Sequence, residues 1–210
     1  MNRDRYKHKS ENNSLSSHFT EVEGILIDIN ALMSITHSCV PSHCQFSQCC
    51  CTNYEVCINN NELSNIIGFL PYASKYSRRL KVGKRFDNVF EDIGRNIYSI
   101  DKDVSGLCVF GYYGKNKEIL CSLHTTALEL RIPAESTKPA SCILWPLAIV
   151  ASRPLILSIQ EGVFSFPCNQ LRIGHATELD HGIAEIVVKS FGHSFLCKLQ
   201  TAIRDFSSER

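Results

Sequence analysis

The sequence lacks an excess of charge of either sign: 22 Lys and Arg stand against 21 Asp and Glu, a formal net charge of +1. That balance gives no electrostatic ground for a nucleic-acid partner or for a membrane surface. A secretory signal is also missing. Residues 1–18 are charged and polar, with no apolar stretch ahead of a small-residue cleavage site. An unbroken apolar run is absent as well. The longest, 142–159, is interrupted by Pro146, Arg153 and Pro154, which argues against a membrane span and for a pair of buried strands. There is no internal repeat and no Gly-rich phosphate loop of useful pattern. The nearest thing to paired carboxylates, Glu21 with Glu23, reads as a solvated strand start.

Cysteine is what the chain has in abundance: eleven in 210 residues. A cysteine-dense chain without an export signal is expected in the cytoplasm, where thiols serve as metal ligands or redox groups more often than as structural disulfides. The densest stretch runs from His37 to Cys51, with Cys39, Cys44 and the run Cys49, Cys50, Cys51 in the pattern C-x-x-x-x-C-x-x-x-x-C-C-C. Thiolate sulfur donates strongly to iron and zinc, and close pairs of cysteines can close a tetrahedral site. His37 and His43 flank these cysteines and could add imidazole. A metal-free alternative is a Cys/His nucleophile pair. It requires one activated cysteine beside a histidine, which a cluster of thiols does not resemble.

The rest of the chain divides into helices and strands that do not alternate as βαβ units, so an α+β fold is expected, with 20–210 as one domain behind a disordered arm over 1–19. Residues 24–30 read as a strand, and the cysteines of 39–51 as a loop able to wrap an ion. Leu63, Ile66, Ile67 and Leu70 mark a helix capped at Asn60 or Asn61 and ending at Pro71. The spacing of Phe86, Val89, Phe90, Ile93 and Ile97 predicts an amphipathic helix over 85–98. Residues 106–123 read as a β-hairpin turning at Gly114 and Lys115, a register that sets Cys108 opposite Cys121. A short helix over 124–132 stops before Pro133. Residues 180–206 are helical with a break at Gly192, and the last helix buries Phe195, Leu196, Leu199, Ala202, Ile203 and Phe206.

Beyond the first cluster come Cys108-Val-Phe110, Cys121-Ser-Leu123, Lys138-Pro-Ala-Ser-Cys-Ile-Leu-Trp-Pro146, Cys168 and Phe191-Gly192-His193. Over about 24–206 these, with the 39–51 cluster, resemble the YkgJ-type cysteine-cluster family, described as a zinc- or iron-chelating CxxCxxCC domain, and within it the longer uncharacterised relatives. Trp145 stands where those carry Tyr, Ser47 and Gln48 where a Gly precedes the Cys-Cys pair, and a third consecutive cysteine is added. Whether Cys49-Cys50 or Cys50-Cys51 is the family pair stays open.

The resemblance implies metal ligation by Cys39, Cys44, Cys49, Cys50, Cys51, Cys108, Cys121, Cys142 and Cys168. Cys57 and Cys197 read as structural, and Trp145 and Pro146 read equally well as cover for the centre or as simple core packing. His124 reads as a solvent-facing helix start or as an outer group tuning a ligand sulfur. The cofactor expected is an iron–sulfur cluster, since nearly all the donors are sulfur; zinc is the alternative. The functions expected are a redox protein or part of a protein-modifying system, a zinc-stapled interaction module, or a metal chaperone or sensor. A related cluster occurs in flagellin lysine-N-methylases, but no methyl-donor site is legible here. A protein or redox partner is expected, with neither nucleic acid nor membrane.

Overall fold

Backbone pairing begins where the polar N-terminal stretch gives way to alternating apolar residues. The structure, a computed structural model, describes residues 18–40, 44, 46–80, 89–150, 152–174 and 176–208. The arm expected over 1–19 lies outside them except for its last two residues, and Phe19 already pairs with Asp28. β1 (Phe19–Val22) and β2 (Ile25–Asp28) form a hairpin. Asp28 then caps α1 (Ile29–Met33), its carboxylate accepting from Ala31 N at 3.1 Å, so the expected strand over 24–30 ends two residues early.

After β3 (Ile35–His37) comes the cysteine stretch, expected as loop. Its described residues include a single 3-10 turn, Phe46–Gln48, and a one-turn helix, α2 (Cys50–Asn53), which opens with two of the three consecutive cysteines. β4 (Cys57–Asn59) leads into α3 (Asn60–Ala73). Its N-cap is Asn59, in a reciprocal capping box with Glu62, and the helix carries Pro71 in its last turn rather than ending there. The hydrogen bond lost at Pro71 would have gone to Ile67, a residue on the exposed side of the helix, and Ser74 N to Leu70 O at 2.9 Å resumes the ladder.

The helix expected over 85–98 is not formed within its described part. β5 (Phe90–Gly94) and β6 (Ile97–Ile100) make a hairpin there, while 81–88 lie outside the described residues. Gly94, Arg95 and Asn96 all take positive φ, which selects a tight turn between twisted strands. The helical spacing of Phe90, Ile93 and Ile97 is coincidental, since Ile93 is exposed.

β7 (Gly111–Tyr113) and β8 (Ile119–Cys121) follow, then α4 (Ser122–Leu130), closed by Arg131 in the left-handed region, and α5 (Ala140–Leu144). β9 (Leu147–Val150) and β10 (Leu155–Ile159) are the two strands expected from the broken apolar run, although Ile149, Val150 and Leu155 remain exposed. β11 (Asn169–Leu171), α6 (His181–Phe191) and α7 (His193–Ser208) end the chain, the two helices meeting at Gly192 as expected.

The architecture is α+β, with small sheets in the orders β1-β2-β10-β9, β4-β6-β5, β3-β11 and β7-β8. Two main cores result. The first joins the four-stranded sheet to α1, α6 and α7 through Ile27, Leu157, Ile183, Val187, Phe195, Leu199 and Ile203. Each such side chain contributes roughly 1.5–3 kcal/mol when fully buried. The second packs α3 and α4 on the β4–β6 sheet through Ile58, Ile66, Leu70, Phe110 and Leu123. The expected last-helix face is present, with Phe195, Leu199 and Ile203 buried and Leu196, Ala202 and Phe206 packed partly against them. Among the described residues, no helix is long and apolar enough to cross a membrane.

Candidate metal centre

Cys39 and Cys168 are brought together by strand pairing. β3 and β11 run antiparallel with His37 opposite Asn169, and Ser38 N donates to Cys168 O at 2.9 Å. His37 spends its ring on this junction, Nδ1 lying 2.6 Å from Asn169 Oδ1. The junction is clamped from behind by Asp180, which caps α6. Its Oδ1 accepts from Gly182 N at 3.0 Å and from His37 N at 3.0 Å. The fit leaves no space for a larger residue, because a Cβ on Gly182 would lie 2.0 Å from His37 O.

The consecutive cysteines are tied directly to the next expected ligand along the chain: Cys108 N donates to Cys51 O at 2.8 Å. Lys102 supports the same junction, pairing with Cys108 as an isolated bridge and donating Nζ to Thr52 O at 3.0 Å. A tight loop over 103–107 presents Cys108. Asp103 Oδ1 accepts from Ser105 N at 2.8 Å and from Leu107 N at 3.2 Å, while its other oxygen pairs with Arg79. Burial alone would raise the Asp103 carboxyl, but the bonds from Ser105 and Arg79 hold it at about 2.

The hairpin register differs from the sequence expectation. Cys121 faces Gly111, not Cys108, because the chain turns back at Cys108 with Gly111 N on Cys108 O at 2.7 Å. The strands are short and the connection between them spans five residues. The two thiols still meet across the end of the hairpin. Cys121 is the residue from which α4 starts, and Cys142 sits on α5, whose first amide, Ala140 N, donates to Glu62 Oε1 at 2.9 Å.

The result is a small cavity of about 60 Å³ into which Cys50, Cys51, Cys108, Cys121 and Cys142 all face, together with Lys138. One water needs about 10–15 Å³ of such space, so several atoms fit. The remaining wall is largely apolar, with Phe110, Leu123, Val56, Ile100, Tyr54 and Trp145. The site lies at the seam of the molecule. Cys50 and Cys168 pack against the first core, Cys108, Cys121 and Cys142 against the second, and Cys44 and Cys51 against a third, small cluster of Cys49, Leu107 and Ile119.

Charge is distributed unevenly among the thiols. The Cys44 thiol beside Cys39 holds Cys39 down to about 6 and is itself pushed up. Cys51 does the same for Cys49, also at about 6, and for Cys50. Burial raises Cys108 to about 12 and raises Cys142 as well. In each adjoining set one thiol, Cys44 or Cys51, thus keeps its proton in favour of its neighbours. Burial would lower the Lys138 ammonium, but the Cys121, Cys142, Cys50 and Cys51 sulfurs around it reverse the effect and hold it up. Among the described residues, no carboxylate lies within salt-bridge distance of Lys138.

Five of the nine expected ligands therefore line one cavity. Of the others, Cys39 is exposed, Cys44 and Cys168 are half-buried, and Cys49 is buried beside Thr52 Oγ1 at 3.4 Å. Cys57 and Cys197, read as structural, are both exposed. His43 lies outside the described residues, and His124 is solvent-facing. Trp145 lines the cavity and also belongs to the first core, packing edge-on against Phe166 with ring centroids 4.7 Å apart; Pro146 is not among the lining residues. Burial raises the Cys168 thiol, and the indole N–H of Trp145 beside it partly offsets this, although that N–H finds no partner of ordinary hydrogen-bond geometry. Among the described residues, no group of three or more Cys, His, Asp and Glu side chains stands ready to hold a metal ion. The thiols line the cavity wall without converging on one point. Lys138, which opens the Lys138-Pro-Ala-Ser-Cys142 stretch of the resemblance, was given no role by the sequence; the structure places it in the cavity. Comparison with protein-family models, with curated proteins and with solved structures finds no match.

Proposed function

We propose that this chain is a cysteine-ligated metal-binding protein of the kind the YkgJ-type resemblance implies, with Cys50, Cys51, Cys108, Cys121 and Cys142 as its donor set. One observation carries the reading: five thiols share a small apolar cavity with a cation that has no carboxylate partner among the described residues. A half-buried ammonium needs an anion nearby, because an unpaired charge away from water is costly. The Cys50 thiol, held down by Cys51 and by Lys138 itself, supplies part of that anion, and metal ligation, which removes the protons of every donor, would supply it in full.

An all-sulfur donor set behind an aromatic and aliphatic wall favours an iron–sulfur cluster, which when bound would supply one-electron transfer to a redox partner or within a protein-modifying system. The residues' own part is to ligate, to exclude water through Trp145, Tyr54 and Phe110, and to balance charge through Lys138. The reduced thiols belong to a reducing compartment, the cytoplasm. The small volume of the cavity favours a second reading, a single structural zinc on four of the five thiols.

Purification without oxygen, followed by metal and sulfide analysis, tests both. A brown sample containing iron and acid-labile sulfide supports the first, and a colourless one with stoichiometric zinc the second. A chain that binds neither metal, with all eleven thiols free to react, sinks both.

A further inference from the structure

The thiols outside the cavity are not scattered. Cys39 is exposed, and its sulfur adjoins that of Cys44, which is half-buried. Cys44 packs against buried Cys49 in the small cluster with Leu107 and Ile119. The Cys49 sulfur adjoins that of Cys51, and Cys51 in turn lies beside Cys50 and Cys121 on the cavity wall. The cysteines thus form a graded series, from exposed Cys39 through half-buried Cys44 and the cluster that holds Cys49 and Cys51 to the cavity wall. Leu107 and Ile119 pack around its inner part, at Cys44, Cys49 and Cys51, and a hydrated cation does not cross apolar packing unaided.

We infer that Cys39 and Cys44 form the port at which a soft or borderline divalent cation is captured from solvent, and that Cys49 and Cys51 pass it inward to the cavity. The inference rests on the metal-binding reading above. At each step one metal–sulfur bond forms as another breaks, and the oxidation state of the metal is unchanged. The proton of the incoming thiol passes to the sulfur that is released. The exposure gradient gives the path its direction: capture needs exposed donors, retention needs buried ones.

The test uses the full-length chain, stripped of metal by a chelator under reducing conditions, and Zn²⁺ presented as a complex with a coloured competing chelator. In wild type, uptake is expected to show a fast phase. In the double variant Cys39→Ser, Cys44→Ser that fast phase is expected to be lost while the final amount of zinc bound is unchanged. Both positions lie at or near the surface, so the variant is expected to fold, and Cys197→Ser, also exposed, controls for loss of any surface thiol. A retained fast phase overturns the port. So does a fall in final stoichiometry, which would make Cys39 and Cys44 permanent ligands. A wild-type chain that takes up no zinc and carries no iron overturns the centre itself, a result distinct from either.

Discussion

At the scale of single residues, Lys138 is the side chain whose presence is hardest to explain without a metal. It lines the cavity, and the sulfurs of Cys121, Cys142, Cys50 and Cys51 hold its ammonium up against burial. Lys138→Met keeps the apolar stem and removes the charge. Metal affinity is expected to fall roughly 10–100-fold, as for other groups that support a ligand set from outside it, and chelator competition measures it. Unchanged affinity would mean that the ammonium finds its counter-charge elsewhere. A second residue-scale prediction concerns Asp103, which shapes the loop that presents Cys108. Its carboxyl titrates near 2, below the ordinary value of about 3.9. A depressed carboxyl contributes stability that is fully present above the unfolded-state value and is lost as pH falls through the folded-state one. Wild type is therefore expected to exceed Asp103→Asn in stability above about pH 4, the difference closing towards about pH 2; urea melts across that window read it.

At the scale of elements, the contact between α6 and β3 decides where Cys39 stands. Gly→Ala inside a helix ordinarily stabilises by about 0.5–1 kcal/mol. At Gly182 the added methyl would overlap the His37 carbonyl, so Gly182→Ala is expected to destabilise by about 1–3 kcal/mol. The sign of the change in a denaturant titration separates the two. Elements also show what the sequence made legible. Helices with a full apolar stripe were readable: α3 through its Asn-rich start and Ile66 and Leu70, α7 through Phe195, Leu199 and Ile203 behind the break at Gly192. The β5–β6 hairpin was not, because Phe90, Ile93 and Ile97 mimic a helical face while the turn at Gly94, Arg95 and Asn96 gives only a weak composition cue. The register of β7 and β8 escaped for a related reason. Three-residue strands carry too few alternations to fix a turn position. All five thiols of the cavity are among the nine that the resemblance named. What it could not supply was the division into lining and approach, which depends on how three separate hydrophobic clusters abut.

At the scale of the whole molecule, the thiols occupy the seam where those clusters meet. A structural metal site contributes on the order of 10 kcal/mol, comparable with the entire stability of an ordinary domain, about 5–15 kcal/mol. Removing the metal is therefore expected to lower the thermal midpoint and to split one calorimetric transition into two, the cores melting separately. A single transition unmoved by chelation would count against a stapling role. The seam also carries its own optical probe. The chain has one tryptophan, and it is Trp145. Its indole is 7 % exposed and forms part of the cavity wall, so its fluorescence comes wholly from the place where the sulfurs gather. An iron–sulfur chromophore there would darken that emission by absorbing it, whereas zinc, with no visible absorption, would leave it bright, and the filling of the cavity could be followed in unlabelled protein.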